Sequence, residues 1–261
     1  MAIFKVVAQN FDIIEEAQTG KITCGHLFRA NASGILIGHP ETKDDLQIVN
    51  KKIKEIISFQ KNHPDALPFN VIIIGETFKE FSTYSLHEIA QLLQDRCSEM
   101  FKNIPDDFIK QTLLIYEPKW ALSSNEIEKQ LPPSFKLITS VTNKIREYLV
   151  ERLSSEGFKV SLMYGEVSSP ERAVEILANK NLQGLMLGSA SKTSSQVLEF
   201  VKAIQYAYNK RKVILVCNFK SYELSESYQE YISTLTIVPD NFTLYFVPPA
   251  TDIRQLVKLI E

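Results

Sequence analysis

The sequence predicts an α/β fold, read as one (β/α)8 barrel domain over residues 1–261. Three observations carry that prediction. Eight short apolar runs, rich in β-branched residues, recur along the chain. Segments with helical spacing lie between them. Glycines stand at the ends of the runs. Continuous apolar runs are the mark of strands buried on both faces. Their centres lie roughly 25 to 46 residues apart, which leaves room for a loop, a helix and a return loop. A doubly wound open sheet would show the same alternation, because strand periodicity alone does not show closure.

The elements follow in order. Runs at 3–9 and 35–38 come first. Residues 45–60 then carry Leu46, Val49, Ile53, Ile56 and Ile57, an i, i+3, i+4 stripe on a Lys-rich background. The third run is 71–75. A stripe over 86–101 follows, through Leu86, Ile89, Leu92, Leu93 and Met100. The fourth run, 113–117, precedes a loop with Pro132-Pro133 and a helix expected over 141–154, through Val141, Ile145, Leu149 and Leu153. After the run at 159–164, Ser168-Ser169-Pro170-Glu171 opens a helix over 171–178 with proline just inside its start. Runs at 185–188, 213–218 and 244–247 complete the set, and the last helix is expected over 252–260. Gly34, Gly157 and Gly184 precede strands, where a helix must stop and turn. Gly38, Gly75, Gly165 and Gly188 close strands, where loops depart.

Composition narrows the function classes. Apolar residues make up 44% and charged residues 23%, ordinary for a globular chain and unlike a disordered or fibrous one. The formal net charge of -2 gives no global basic field for nucleic acid or an acidic membrane. Cys24, Cys97 and Cys217 are odd in number and widely spaced, which argues against a disulfide framework or a zinc cluster and fits a reducing cytoplasm. No two histidines show metal-ligand spacing, so no metal and no cofactor is expected. No apolar run approaches a membrane span, and the N-terminus lacks the pattern of a secretory signal. The unusual number is nine glycines, where an average of roughly 7% would give about eighteen.

In a barrel, chemistry sits at the C-terminal ends of the strands. These ends read Ala8-Gln9-Asn10, Gly38-His39-Pro40-Glu41, Gly75-Glu76, Tyr116-Glu117-Pro118-Lys119-Trp120, Tyr164-Gly165-Glu166 and Asn218-Phe219-Lys220. A carboxylate, an imidazole and an ammonium therefore face one mouth. That set suits proton abstraction beside a carbonyl: a base, an electrophile and a cation for the developing oxyanion. His26, His63 and His87 stand in polar or helical context and read as surface residues.

These strand ends resemble the triosephosphate isomerase family. Tyr116-Glu117-Pro118-Lys119-Trp120-Ala121 is similar to its Y-E-P-V-W-A segment, Ile37-Gly38-His39-Pro40-Glu41 to I-G-H-S-E, and Asn218-Phe219-Lys220 to N-W-K. The order differs. The family begins at its N-W-K strand, whereas this chain begins at the A-Q-N strand and carries the N-W-K strand and the one after it at its C-terminal end. The resemblance thus implies a circularly permuted TIM barrel, with residues 208–212 joining the family's old ends.

It also implies roles. Glu117 is the base and His39 the electrophile as a neutral imidazole. Lys220 offsets phosphate and enediolate charge. Asn218, Ser123, Gly165, Ser168, Gly188 and Ser189 bind substrate. Glu41 stands near Lys220. Thr19, in the 11–20 loop, faces a second subunit, so a homodimer is expected. Departures gather on phosphate binding. Glu166 and Val167 stand where the family has glycine and serine, Ser189 where it has glycine, and lid residues Ser123 and Asn125 where it has glycines. The implied activity is interconversion of dihydroxyacetone phosphate and glyceraldehyde 3-phosphate in the cytoplasm, with no nucleic-acid or membrane partner. Two alternatives stand beside it: a related barrel with an altered cradle acting on another enolisable substrate, and a non-catalytic binding barrel.

Overall fold

The computed structural model describes residues 2–14, 18–122 and 132–261. Its eight parallel strands close into a barrel in chain order. The elements are β1 (Ile3–Ala8), α1 (Cys24–Arg29), β2 (Gly34–Ile37), α2 (Leu46–Asn62), β3 (Val71–Ile74), α3 (Phe78–Thr83), α4 (Leu86–Met100), α5 (Asp106–Lys110) and β4 (Leu113–Tyr116). Then come α6 (Phe135–Leu153), β5 (Ser161–Tyr164), α7 (Pro170–Leu177), β6 (Gly184–Leu187), α8 (Ser194–Tyr208), β7 (Val213–Asn218), α9 (Tyr228–Leu235), β8 (Phe242–Val247) and α10 (Ile253–Ile260). Closure runs through β1 against β8, with Ile3 opposite Thr243 and Val6 opposite Phe246. The open-sheet alternative is thereby removed.

Strand alternation explains the continuous apolar runs. Val7, Leu36, Val71, Ile73, Leu113, Ile115, Met163, Met186, Val216, Tyr245 and Val247 fill the barrel interior. Their neighbours, such as Ile35, Ile37, Ile72 and Leu114, pack outward against the helices. Both faces exclude water, so both must be apolar. The same period of two sets the mouth. Two residues beyond the last inward position stand Gln9, Glu117, Gly165, Gly188 and Asn218.

Helix ends carry the chemistry that stops and starts them. Asp45 caps α2, accepting from the Ile48 N–H at 2.8 Å. Ser85 with Glu88 and Ser227 with Glu230 form capping boxes for α4 and α9. Ser169 caps α7, with Pro170 in its first turn as expected. Each such cap contributes about 1 kcal/mol.

The structure differs from the sequence expectation in three respects. Helix α6 starts at Phe135, six residues before the expected 141, because Ser134 caps it and Leu137 and Ile138 extend its buried stripe. Helices α8 and α9 are additional, as are the short α1, α3 and α5. Gly34 and Gly184 lie inside strands, and close packing requires them there rather than the turning of a helix. A Cβ would meet the Phe69 carbonyl at 1.4 Å and the Ile214 carbonyl at 2.1 Å. The three cysteines are free and buried. No helix among the described residues is long and apolar enough to cross a membrane.

Candidate active site

Strand β2 would aim His39 outward if its alternation continued past Leu36. Gly38 interrupts it with a left-handed φ of 77°, open to glycine without steric cost. His39 follows, buried at the mouth, and caps a 3-10 turn over Pro40–Thr42. Its Nδ1 accepts the Glu41 N–H at 3.2 Å. Pro40 is compatible with this, because the missing N–H at the first helical position is not the one the ring uses. With Nδ1 accepting, the neutral ring carries its proton on Nε2. Burial, and then the Lys220 charge, hold the imidazole down to about 4, so it is neutral at physiological pH.

That Nε2 lies 3.8 Å from Glu117 Oε2. Both atoms are buried, and neither finds a hydrogen-bond partner among the described residues. Buried polar atoms are normally satisfied. Two orphans facing one another at a strand mouth mark the place where a ligand's polar atoms belong. Burial, and then the Glu166 charge, push the Glu117 carboxyl up to about 8, while Lys220 works in the opposite direction. A carboxylate so desolvated is a stronger base than one in water, and a neutral imidazole donor beside it can hold an oxyanion.

Gly165 makes the room that Glu117 occupies. A Cβ there would stand 2.8 Å from Glu117 Oε1 and 2.9 Å from its Cβ and Cγ. We expect Gly165→Ala to displace the carboxylate and lower kcat by about 10²-fold, the scale set by an ångström of misplacement. Steady-state kinetics beside an unchanged circular dichroism spectrum would check it.

Below the base, Glu76 is fully buried. It accepts from Tyr116 Oη at 3.2 Å and Trp120 Nε1 at 2.8 Å, and its backbone carbonyl accepts the Lys119 N–H at 2.9 Å. It thus ties the segment after Glu117 to β3.

On the opposite side, Lys220 Nζ donates to Glu41 Oε1 at 2.8 Å. Burial works against the Lys220 ammonium, but the Glu41 bond and charge outweigh it and raise its pKa. Lys220 holds a left-handed φ of 48°. Two side chains brace that backbone. Asn218 Oδ1 accepts the Lys220 N–H at 3.0 Å, and Gln9 Nε2 donates to the Lys220 carbonyl at 2.5 Å. A cavity of about 220 Å³ lies here, lined by Gln9, Asn10, His39, Glu41, Asn218 and Lys220 among others.

The expected site residues fall into two groups. His39, Glu117, Gly165, Asn218, Lys220 and Glu41 come together. Gly188 stands beside them, with Lys220 Cε 3.9 Å from its missing Cβ. Ser168, Ser189 and Thr19 are exposed, and Ser169 is engaged as the cap of α7. Glu166 takes a left-handed φ of 60°, and the Val167 side chain is buried. Ser123 and Asn125 lie outside the described residues. His26, His63 and His87 are exposed, as the sequence suggested. The bracing role of Gln9 and the room made by Gly165 for Glu117 were not expected. Strand alternation, carried two residues past the interior, is the signal that finds both.

The class these features define is a closed (β/α)8 barrel carrying a buried carboxylate and a neutral imidazole at its strand ends. The family model for triosephosphate isomerase matches residues 2–204. A triosephosphate isomerase of Ruegeria pomeroyi is 29% identical over 198 residues, spanning 73% of this chain and 71% of that protein. One of Protochlamydia amoebophila is 28% identical over 200 residues, spanning 74% and 70%. The chain belongs to the triosephosphate isomerase family.

Proposed function

We propose that this protein interconverts dihydroxyacetone phosphate and glyceraldehyde 3-phosphate through an enediolate. The observation that carries the reading is the facing pair of buried atoms, Glu117 Oε2 and His39 Nε2, neither with a hydrogen-bond partner among the described residues. Glu117 takes the proton from C1 of the ketose and returns it at C2. His39, as a neutral donor, bonds the carbonyl oxygen as it gains charge. Lys220 adds positive charge to the same cavity, and Asn218 holds the Lys220 backbone. A coupled assay with glyceraldehyde 3-phosphate tests the reading, and no turnover at micromolar enzyme would overturn it.

The placement of Glu166 favours one second reading, a different enolisable substrate. Its carboxylate raises the Glu117 pKa, and it stands where the family resemblance puts a phosphate loop. Titration with 2-phosphoglycolate separates the two readings. Thermal stabilisation at millimolar ligand supports the triose phosphate, and its absence supports the alternative.

Glu166 also yields a pH prediction. A raised base pKa means that the reactive carboxylate form appears only as pH rises toward 8. The acid limb of kcat/KM, which reports the free enzyme, is expected near that pH. Glu166→Gln removes one of the charges raising it, so the limb moves to lower pH. A profile from pH 5 to 9 reads the shift.

Two structural proposals accompany the function. The barrel is a permuted version of the family's. In support, the family match stops at residue 204, while β7, which ends at Asn218 with Lys220 just beyond it, and β8 complete the ring. The protein is also a homodimer formed through the 11–20 loop, where Ile14 is exposed. Sedimentation is expected to give twice the chain mass, and a monomer at micromolar concentration would count against it.

A further inference from the structure

A phosphorylated substrate brings a dianion to a mouth already rich in carboxylates. Glu117 and Glu166 stand on the β4 and β5 ends. The Lys220 ammonium is already bound to Glu41 at 2.8 Å. Lys220 thus divides its charge between that ion pair and the anionic group of the substrate, and a second cation would tighten the hold on a dianion. Such a cation is expected away from Glu166, on the side of β6 and β7.

Lys192 fits that description. It closes the 3-10 turn over Ser189–Ser191 that follows β6. Its Nζ lies 4.2 Å from the centroid of the Tyr222 ring, and Lys220 Nζ lies 6.0 Å from the same centroid. Tyr222 follows Ser221, which lines the cavity together with Lys220 and His39. Lys192 forms no ion pair with a carboxylate among the described residues, Glu226 of the loop after β7 included. The Glu226 oxygens accept from Ser194 N–H at 2.5 Å and Ser194 Oγ at 2.9 Å instead. The lysine ammonium is thus held in place by an aromatic face, which orients a cation without neutralising it.

We infer that Lys192 is a specificity-determining residue whose ammonium, held on the Tyr222 ring that Lys220 also approaches, binds the anionic group of the substrate on the β6–β7 side of the mouth. The inference rests on the isomerase reading above only for the identity of that anion.

The test uses the protein with Lys192→Met and Lys192→Arg. The residue is exposed, and its side chain makes no hydrogen bond among the described residues. Two readouts are taken: turnover of glyceraldehyde 3-phosphate, and thermal stabilisation by 2-phosphoglycolate. With Lys192→Met, KM is expected to rise about tenfold while kcat stays within about twofold, the signature of binding lost equally from ground and transition states. The dissociation constant for 2-phosphoglycolate is expected to rise in parallel, and Lys192→Arg to restore most of both. A merely structural lysine would not give that split.

Unchanged KM and unchanged 2-phosphoglycolate binding in Lys192→Met would overturn the inference while leaving the isomerase reading intact. If the wild type shows no turnover but binds 2-phosphoglycolate more tightly than Lys192→Met, the isomerase reading fails and the anion site stands. Absence of binding by the wild type overturns both.

Discussion

Glu117→Gln is expected to lower kcat/KM for glyceraldehyde 3-phosphate by roughly 10²- to 10⁴-fold, the range over which a positioned general base acts. Glutamine keeps the size of the side chain in its slot against Gly165 but cannot take a proton. The same substitution is expected to stabilise the fold at high pH. Burial first, and the Glu166 charge second, raise the Glu117 pKa from 4.5 to about 8. The folded state therefore keeps a proton that the unfolded chain releases. Its contribution to stability is fully present below the unfolded value and is lost as pH rises through the folded one. Glutamine carries no charge at any pH, so the variant escapes that loss. Melting curves at pH 5 and pH 9 check the sign. The two proteins should melt together at the lower pH, and the variant higher at the upper one, by about 2–4 °C for each kcal/mol of charge burial relieved. A lower melting temperature for the variant at both values would contradict the burial argument. Activity and stability pull in opposite directions here, as they do where a site holds a desolvated charge.

His39→Ala is expected to lower kcat by about 10²- to 10³-fold, the loss typical of a single donor to a developing oxyanion. The physical content lies in the protonation state. Burial, then the Lys220 charge, hold the ring pKa down to about 4, and the Glu41 N–H bonded to Nδ1 leaves the proton on Nε2. Nitrogen-15 shifts of the ring should show a neutral imidazole from pH 5 to 9. Because the folded pKa is depressed, the neutral ring contributes stability above about 6.5 that is lost as pH falls through 4. A ring that titrates near 6.5 in the folded protein would contradict the assignment. It would also make the donor a cation, which is a poorer match to a carbonyl than the neutral ring in a site already holding Lys220.

Much of the barrel was legible because both faces of each strand are buried. Runs such as Val71-Ile72-Ile73-Ile74 and Leu113-Leu114-Ile115-Tyr116 have no polar member to confuse them. The ionisable residues just past such runs, Glu117 directly after Tyr116 and His39 after Ile37-Gly38, were legible as candidates for the same reason, since such a group after buried positions stands out. Helix α8 carries a stripe through Val197, Leu198, Val201 and Ile204 as regular as that of α2, yet its start at Thr193-Ser194-Ser195 resembles a loop until the cap is seen. The start of α6 was hidden by Pro132-Pro133, which reads as a break and is the approach to a cap.

Contacts between strand ends were not legible at all. That Gly165 leaves room for Glu117, that Gln9 braces Lys220, and that Glu166 presses on the Glu117 pKa depend on residues 48, 211 and 49 positions apart in sequence meeting across the mouth. No spacing rule within a strand or helix reports them. The glycine deficit was legible as a number, and its physical sense comes from position. The glycines that remain at Gly38 and Gly165 are the ones that set His39 and Glu117, while Glu166 and Ser189 stand in the loops where an anion would be held.

The proposed reaction is proton transfer by Glu117 through an enediolate of a triose phosphate. Isomerisation of glyceraldehyde 3-phosphate in D2O, followed by proton NMR, tests it most directly. The predicted result is dihydroxyacetone phosphate carrying deuterium at C1, formed by the wild type and lost with Glu117→Gln. No isomerisation at micromolar enzyme, or deuterium incorporation that Glu117→Gln leaves unchanged, would contradict it.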